Sequence, residues 1–253
     1  MQDEMNTASF RFHGALQDFL KKRERDQTIS YTFKGAPAVK DAIEAMGVPH
    51  PEVDVILLNK KPATLQQAIS AGDEVDVFPV DAKYNWPVGY SFSKNHPAPK
   101  RFILDVHLGT LAKSMRMLGV KTYYQTDLSD NTIAQLAQEQ QLVVLTRDIG
   151  LLKQKVITWG YWLRSQHTQE QLEEVIRRFD LWDSFSPFRL CLECNTPVLA
   201  VDKECIMEQL PPKTRLYFNE FYQCPSCKRV YWKGSHYDRM QGFIAQLIKN
   251  RNG

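Results

Sequence analysis

A chain of 253 residues, 43% hydrophobic and 24% charged, has the length of one large domain or two to three small ones at roughly 100–200 residues per domain. That composition excludes disorder over most of the chain, and no run approaches the roughly 18 consecutive apolar residues of a membrane span. The formal net charge of +3 hides an asymmetry: residues 1–98 carry 11 Lys+Arg against 13 Asp+Glu, and residues 99–253 carry 21 against 16.

The first residues, with Glu4, Asp18 and Glu24 scattered among bases, do not read as a signal peptide. A cytoplasmic protein of bacterial type with no membrane partner is the expectation. Ser9-Phe10-Arg11-Phe12 and Ile29-Ser30-Tyr31-Thr32-Phe33 alternate apolar and polar residues, which predicts two strands. Val39, Ala42, Ile43 and Met46 recur at helical spacing over Ala38–Met46, and Gly47 stops that helix. Val53–Leu58 and Asp76–Val80 predict a third and a fourth strand, the latter after the turn Ala71-Gly72-Asp73. Two strands, a helix and two more strands is the order of a ubiquitin-like β-grasp, expected over residues 1–82. The stretches Gly47–Val53 and Ala71–Val75 resemble the small sulfur-carrier and molybdopterin-synthase members of that superfold. Those carriers act through a free C-terminal Gly-Gly, whereas this chain continues from Val80. A docking or packing module, with a protein partner for the ubiquitin-like domain, is therefore expected rather than a carrier.

Residues 83–99 hold Pro87, Pro97, Pro99 and Gly89 without hydrophobic periodicity and read as a linker. Beyond it the pattern changes to strands alternating with helices. Arg101–Leu104 is a short apolar strand ending at Asp105, and Leu108, Leu111, Ala112, Met115 and Leu118 mark a helix that Gly119 stops. Lys121–Tyr124 predicts a strand, Ile133, Leu136 and Ala137 a helix, and Leu142–Leu145 a strand apolar enough to be covered on both faces. Tyr161–Leu163 is a fourth strand. Thr168-Gln169-Glu170-Gln171 fits a capping box for a helix through Leu172, Val175, Ile176 and Phe179. This order implies an α/β domain with a parallel sheet over residues 100–185, followed by a cysteine-bearing segment over 186–253.

In open parallel sheets ligands sit beyond the carboxyl ends of the strands, and acidic residues fall there. Asp105 ends the first strand of this domain, Asp127 and Asp130 lie in the loop opening its second helix, and Asp148 follows the third strand. Gathered carboxylates repel one another unless a hard divalent ion such as Mg²⁺ or Mn²⁺ joins them. Simpler roles compete: Asp127 or Ser129 would cap the helix, and Asp148 would cap a helix from Ile149. Lys113 and Arg116 are neighbours on one helix face, off the apolar stripe, placed either to hold a substrate phosphate or to lie on a solvated face or in a salt bridge to these carboxylates. Thr146 would orient Asp148 or pack at a strand end. His107 more simply caps or packs.

Five cysteines, an odd number, all follow residue 190, which argues against a closed disulfide framework. Cys191-Leu192-Glu193-Cys194 and Cys224-Pro225-Ser226-Cys227 are two C-x-x-C knuckles, the arrangement a structural zinc ion favours. Two redox pairs or buried thiols are the competing reading, without a thioredoxin-like context. Cys205 is left over and is expected to pack as a small hydrophobe, and His236 is an outside candidate ligand. Arg189, Lys213, Arg215, Lys228, Arg229, Lys233 and Arg239 lie among Tyr217, Phe218, Tyr222, Tyr231 and Trp232. Bases mixed with aromatics suit contact with unpaired RNA, although most aromatics of a small ribbon belong to its core.

Phe102-x-x-Asp105, Leu108-Gly109-x-Leu111-Ala112, Arg116-Met117-Leu118-Gly119, Asp130, Leu145-Thr146-Arg147-Asp148 and Gln171-Leu172 resemble the Mut-seven C-terminal ribonuclease family, a branch of the PIN-like nucleases. The resemblance continues through Arg189-x-Cys191-x-x-Cys194-Asn195 and Cys224-x-x-Cys227 to Trp232-x-Gly234-Ser235-His236. It implies a PIN-like ribonuclease domain followed by a zinc ribbon, with Asp105, Asp130 and Asp148 matching the acidic positions for catalytic Mg²⁺ or Mn²⁺. Arg116 belongs to the family pattern and is expected to help with substrate charge. Cys191, Cys194, Cys224 and Cys227 would hold structural zinc. The partner implied is RNA, such as tRNA or another structured RNA. Many PIN domains carry a fourth acidic residue after the third, and the stretch through Ser165 has none. That departure supports an alternative: a non-catalytic RNA- or ribosome-binding adaptor with a degenerate site.

Overall fold

The structure is a computed structural model that describes residues 5–97 and 100–249, the His236 side chain excepted. In chain order the strands are β1 (Asn6–Phe12), β2 (Ile29–Phe33), β3 (Val53–Leu58), β4 (Lys61–Pro62), β5 (Glu74–Pro79), β6 (Phe102–Leu104), β7 (Thr122–Tyr123), β8 (Val143–Thr146), β9 (Gly160–Trp162), β10 (Leu199–Val201), β11 (Phe221–Gln223) and β12 (Val230–Trp232). The helices are α1 (Val39–Ala45), α2 (Gly109–Met117), α3 (Asp130–Gln140), α4 (Ile149–Leu152), α5 (Thr168–Phe179), α6 (Pro212–Tyr217) and α7 (Ser235–Lys249). They divide between two compact units: the described residues up to Lys100 with Ser129–Leu163, and Arg101–Leu128 with Arg164 onward. No helix among the described residues is long and apolar enough to cross a membrane.

The first unit begins with a five-stranded sheet in the order β2-β1-β5-β3-β4. β1 runs parallel to β5, and its other neighbour β2 is antiparallel, which is the β-grasp arrangement the strand order predicts. Alternation in β1 buries Ala8, Phe10 and Phe12, because successive side chains of a strand face opposite ways. They meet Val39, Ala42 and Ile43 of α1 in one core with Leu16, Ile56, Ile69 and Val77. Burying each large side chain contributes about 1.5–3 kcal/mol. The two-residue β4 escapes the sequence pattern because it holds only Lys61 and Pro62. Asn59 and Lys60 connect it to β3, both at positive φ (49° and 66°), as a tight right-twisted hairpin requires.

The proline-bearing stretch after this sheet is tied down rather than loose. Asp54, 5% exposed, accepts hydrogen bonds from Ser91 Oγ at 2.7 Å and Ser93 N at 2.8 Å. Trp86 stands edge-on to Phe78 with ring centroids 4.8 Å apart. The end of the expected linker, residues 98 and 99, lies outside the described residues.

The β-grasp fold also packs on the segment that carries α4 and β9. His50 Nε2 meets the Ile157 carbonyl at 2.7 Å while its Nδ1 meets Glu44 Oε1 at 2.5 Å. Lys153 Nζ donates to the Glu44 carbonyl at 2.9 Å. The Trp162 amide donates to Glu52 Oε1 at 2.5 Å, and the Phe19 ring lies 5.2 Å from that of Trp162. Glu52 is buried, so its carboxylate needs such a donor. β9 pairs in parallel with β8, whose four residues are all buried. Ser129, not Asp127, caps α3, its hydroxyl accepting from the Thr132 amide at 3.2 Å.

In the second unit β6 and β7 pair in parallel, and Phe102, Ile103 and Leu104 are fully buried. Leu111, Ala112 and Met115 of α2 are buried as the helical stripe predicts. The capping box expected at Thr168 does not form: Thr168 is the first residue of α5 and His167 occupies the cap without a side-chain bond. Glu170 turns instead to Ser165 Oγ at 2.5 Å, and Gln171 donates to the Ser165 carbonyl at 3.0 Å. Gly119 sits at φ +85° with the Ser186 carbonyl where a Cβ would stand, so only glycine fits. There the chain after α5 crosses the end of α2, with Ser186 N bonded to Leu118 O at 2.9 Å and Phe188 N to Met117 O at 3.0 Å. Beyond it, β10, β11 and β12 form an antiparallel sheet in that order. Among the described residues, Ile206, Leu210 and Phe221 form its buried core.

Candidate functional site

The two cysteine knuckles have matching backbones. Cys191 N bonds to Thr196 O at 2.8 Å and Asn195 N to Cys191 O at 3.0 Å; Cys224 N bonds to Arg229 O at 3.0 Å and Lys228 N to Cys224 O at 3.0 Å. In each knuckle the residue after the second cysteine turns left-handed, Asn195 at φ 66° and Lys228 at φ 61°. This turn aims both thiols of a knuckle at one point. The four Sγ atoms lie within 4.8 Å of one another, with Cys191–Cys227 at 3.5 Å and Cys194–Cys224 at 3.3 Å. A tetrahedron with bonds of about 2.3 Å to sulfur has edges of about 3.8 Å, so the four cysteines are positioned to hold a metal ion. Among the described residues this is the one group of three or more His, Cys, Asp or Glu side chains gathered so tightly.

The thiols fit a cation electrostatically as well. Burial pushes Cys194 up, but hydrogen bonds with Thr196 and the neighbouring thiols outweigh it and bring it down to about 6. Burial pushes Cys227 up to about 12, with its cysteine neighbours adding to the rise. Four thiols this close cannot all ionise unless a positive charge stands among them. Tyr231 supports the centre: its hydroxyl contacts Cys191 Sγ at 3.0 Å and accepts from the Leu192 amide at 3.1 Å.

Arg116 has partners other than the substrate phosphate expected from its place off the apolar stripe. Its side chain is 2% exposed. Nε and Nη2 donate to the Thr122 carbonyl at 3.0 and 2.9 Å, and Nη1 donates to the Leu192 and Glu193 carbonyls at 2.9 and 2.7 Å. A buried guanidinium must satisfy its donors, and backbone oxygens of the first knuckle do so. Burial pulls Arg116 below its ordinary value, opposed by Cys191, Cys194 and Glu193. Lys113 pairs with Glu193 of the first knuckle rather than with the strand-end aspartates, Nζ to Glu193 Oε1 at 2.8 Å, and Arg229 meets the same oxygen at 2.9 Å. These pairs hold Glu193 below the usual carboxylate range, the Lys113 hydrogen bond most of all.

The three aspartates lie on different elements. Asp105 follows β6 directly and is 8% exposed. The loop after it is fixed by Tyr124, whose hydroxyl donates to the Val106 carbonyl at 2.8 Å. That hydroxyl lies 2.6 Å from where a Cβ on Gly109 would stand, which is why α2 opens on glycine. Asp130 is exposed in the first turn of α3. Asp148 is exposed and caps α4, its Oδ1 accepting from the Gly150 amide at 2.7 Å. The Asp148 amide donates to the Thr146 hydroxyl at 2.8 Å, so buried Thr146 fixes that loop through the backbone. His107 is exposed.

Cys205 is exposed and outside the metal-competent group; Ile206 beside it fills the core position expected of it. The His236 side chain lies outside the described residues. Several ribbon bases are engaged within the ribbon: Lys233 pairs with Glu220 at 2.6 Å, and Arg215 donates to the Leu210 carbonyl at 2.8 Å. Phe218 and Trp232 pack on the ribbon core, as expected of aromatics in so small a fold. Sequence reading missed Tyr231 and Asn195 as supports of the centre; the left-handed turn after each second cysteine is the signal that bears on Asn195.

The family model described as the Mut7-C RNAse domain matches residues 100–244. A second, described as the Mut7-C ubiquitin, matches residues 5–85. No curated protein matches the chain. Among solved structures, SAMP1 from Haloferax volcanii is 22% identical, covering 30% of this chain and 98% of its own, with a TM-score of 0.25. The Haloferax volcanii HVO 2177 protein is 18% identical, covering 31% of this chain and 87% of its own, also at 0.25. The chain belongs to the Mut7-C RNAse domain family and carries a Mut7-C ubiquitin-like domain ahead of the RNAse domain.

Proposed function

We propose that the protein is a ribonuclease that hydrolyses RNA phosphodiester bonds with Mg²⁺ or Mn²⁺ held by Asp105, Asp130 and Asp148, and that its four-cysteine centre holds structural zinc. The observation that carries the reading is that Asp105 directly follows β6, Asp130 opens the helix after β7 and Asp148 follows β8 by two residues, the chain positions at which α/β folds put their ligand-binding groups. Carboxylates are the hard oxygen donors such ions prefer. A divalent ion there would supply positive charge to hold a phosphodiester and to acidify water.

The chain's own residues supply the framework. Asp105 is held at a strand end whose loop is pinned by Tyr124. Asp148 gives one oxygen to the Gly150 amide, which fixes the carboxylate. RNA contact is supported by a cavity of about 280 Å³ in the ribbon, lined by Arg189, Tyr222, Trp232 and Tyr237 among others. Structured RNA such as tRNA is the substrate class proposed, and a protein partner for the ubiquitin-like domain remains part of the proposal.

The adaptor reading has its own support. Asp148 is engaged as a helix cap, and residues 149–165 carry no acidic side chain. Incubating the zinc-loaded full chain with Mn²⁺ and tRNA or ribosomal RNA separates the two. The ribonuclease reading expects cleavage that falls by about 10²–10³ in Asp105→Asn, the usual scale for removing one electrostatic contributor. Asp148→Asn should lose cleavage while keeping its cap, because Asn caps as well as Asp. RNA that is bound but never cut sinks the ribonuclease in favour of the adaptor, and RNA cut equally by Asp105→Asn sinks the aspartate-held metal site.

A further inference from the structure

We infer that Arg116 is a positioning residue that joins the four-cysteine centre to the α2–β7 layer, so that a metal ion at the cysteines orders the support of Asp105 as well as the ribbon. The inference rests on a metal at the cysteines and does not require the ribonuclease reading.

The first knuckle closes around its metal position through Cys191, Leu192, Glu193, Cys194 and Asn195, and three of these five reach the layer beside it. Leu192 and Glu193, the two residues between the cysteines, give both their carbonyls to Arg116 Nη1. Asn195, in the left-handed turn that completes the knuckle, accepts from the Thr122 amide through Oδ1 at 3.0 Å. The Thr122 carbonyl receives the other side of the same guanidinium. Both backbone groups of Thr122 are thus held by the knuckle or by the arginine that holds the knuckle.

The connection runs on to the carboxylate. Thr122 and Tyr123 pair with Phe102 and Ile103 of β6, and Asp105 follows that strand. Arg116 itself lies in α2, whose start is pinned beneath Tyr124. Opening the knuckle would leave a buried guanidinium facing fewer acceptors, which is costly for a charged donor. Metal binding and the order of this layer therefore depend on each other. The arrangement works as outer-shell support does around other metals, where partners of the ligating residues set affinity without touching the ion. A planar fork is needed to reach three carbonyls at once, and a lysine ammonium would reach fewer.

The plain alternative is that Arg116 only fills a buried position and the knuckle docks the same way with or without metal. Hydrogen exchange on the full chain, zinc-loaded and after stripping with a chelator, distinguishes them. Exchange over residues 109–123 should rise by at least about tenfold on stripping, while residues 29–58 of the β-grasp domain stay unchanged as an internal control. Arg116→Lys should release zinc at about one-tenth the chelator concentration wild type needs, at the lower end of outer-shell effects. Its cobalt form should keep the tetrathiolate ligand-field spectrum. If Arg116→Lys does not fold, Asn195→Gly keeps the left-handed turn, removes only the Thr122 bond and should weaken zinc retention in the same direction. Unchanged exchange over 109–123, or zinc release by the folded variant at the wild-type concentration, overturns the inference alone. A chain that binds neither zinc nor cobalt overturns the metal reading with it.

Discussion

The β-grasp domain and the ribbon solve the same problem with different means. The first buries Phe10, Leu16, Ile43, Ile56 and their neighbours in one continuous apolar core, and its fold follows from that area. The second has three short strands around Ile206, Leu210 and Phe221, too little apolar surface to hold a fold alone. Four convergent thiols stand where more core would otherwise be needed. Yet the two attachments have one kind of contact in common: a side-chain oxygen takes a strand amide, Glu52 Oε1 on Trp162 N and Asn195 Oδ1 on Thr122 N. Strand amides without a ladder partner need an acceptor. The difference teaches that in the β-grasp domain stability and attachment are separable, apolar area supplying the one and polar contacts the other, whereas in the ribbon the first cysteine knuckle serves both.

Removing the metal should produce the largest effect. Structural zinc contributes on the order of 10–16 kcal/mol in small metal-dependent folds, so chelation should collapse the ribbon's amide resonances in a two-dimensional NMR spectrum. Those of residues 6–79 should hold their positions. Loss of both sets together would break the comparison. Next in size, Phe10→Ala should destabilise the β-grasp domain by about 3–5 kcal/mol in denaturant unfolding, without altering metal retention.

Glu52→Ala leaves the Trp162 amide without its acceptor and should cost about 1–3 kcal/mol. That loss should show as faster exchange at β9 while the β-grasp core is unchanged, and an equal loss in both would mean that attachment and core stability are not separate. The smallest effect belongs to Lys113→Ala, which removes a partly exposed ion pair worth about 0–1 kcal/mol. Because Lys113 and Arg229 lower Glu193 from its ordinary 4.5, this contribution is complete above that value and fades as pH falls below it. A wild-type advantage over the variant that grew on acidification would contradict the assignment.

Most of the β-grasp domain was legible because alternation in β1 and β2 and the stripe of α1 are local patterns with one buried face. The cysteine centre was legible for a related reason: its ligands come in pairs three residues apart, and the spacing itself sets the geometry. Arg116 was not legible. A cation off the apolar stripe reads as solvent-facing, and two of the three carbonyls that receive it lie more than 70 residues further along the chain. The packing of the stretch around Trp86 was not legible for the same reason, since prolines announce a break in periodicity but not the contact with Phe78 and Asp54 that fixes it. The capping box failed on one residue of register at Thr168, where Ser165 drew Glu170 and Gln171 away from the helix start. For the carboxylates, the chain pattern offered both a metal-binding and a capping role. Only the capping of α4 by Asp148 and of α3 by Ser129 was decided by geometry.

The central claim is that Asp105, Asp130 and Asp148 act as one divalent-metal site. Titrating Mn²⁺ into the zinc-loaded full chain, with free Mn²⁺ followed by electron paramagnetic resonance, tests it directly. The account predicts a bound ion in the wild type and affinity reduced by at least about tenfold, or 1.4 kcal/mol, in each of Asp105→Asn, Asp130→Asn and Asp148→Asn. Mn²⁺ binding that is unchanged when all three are replaced together would contradict it.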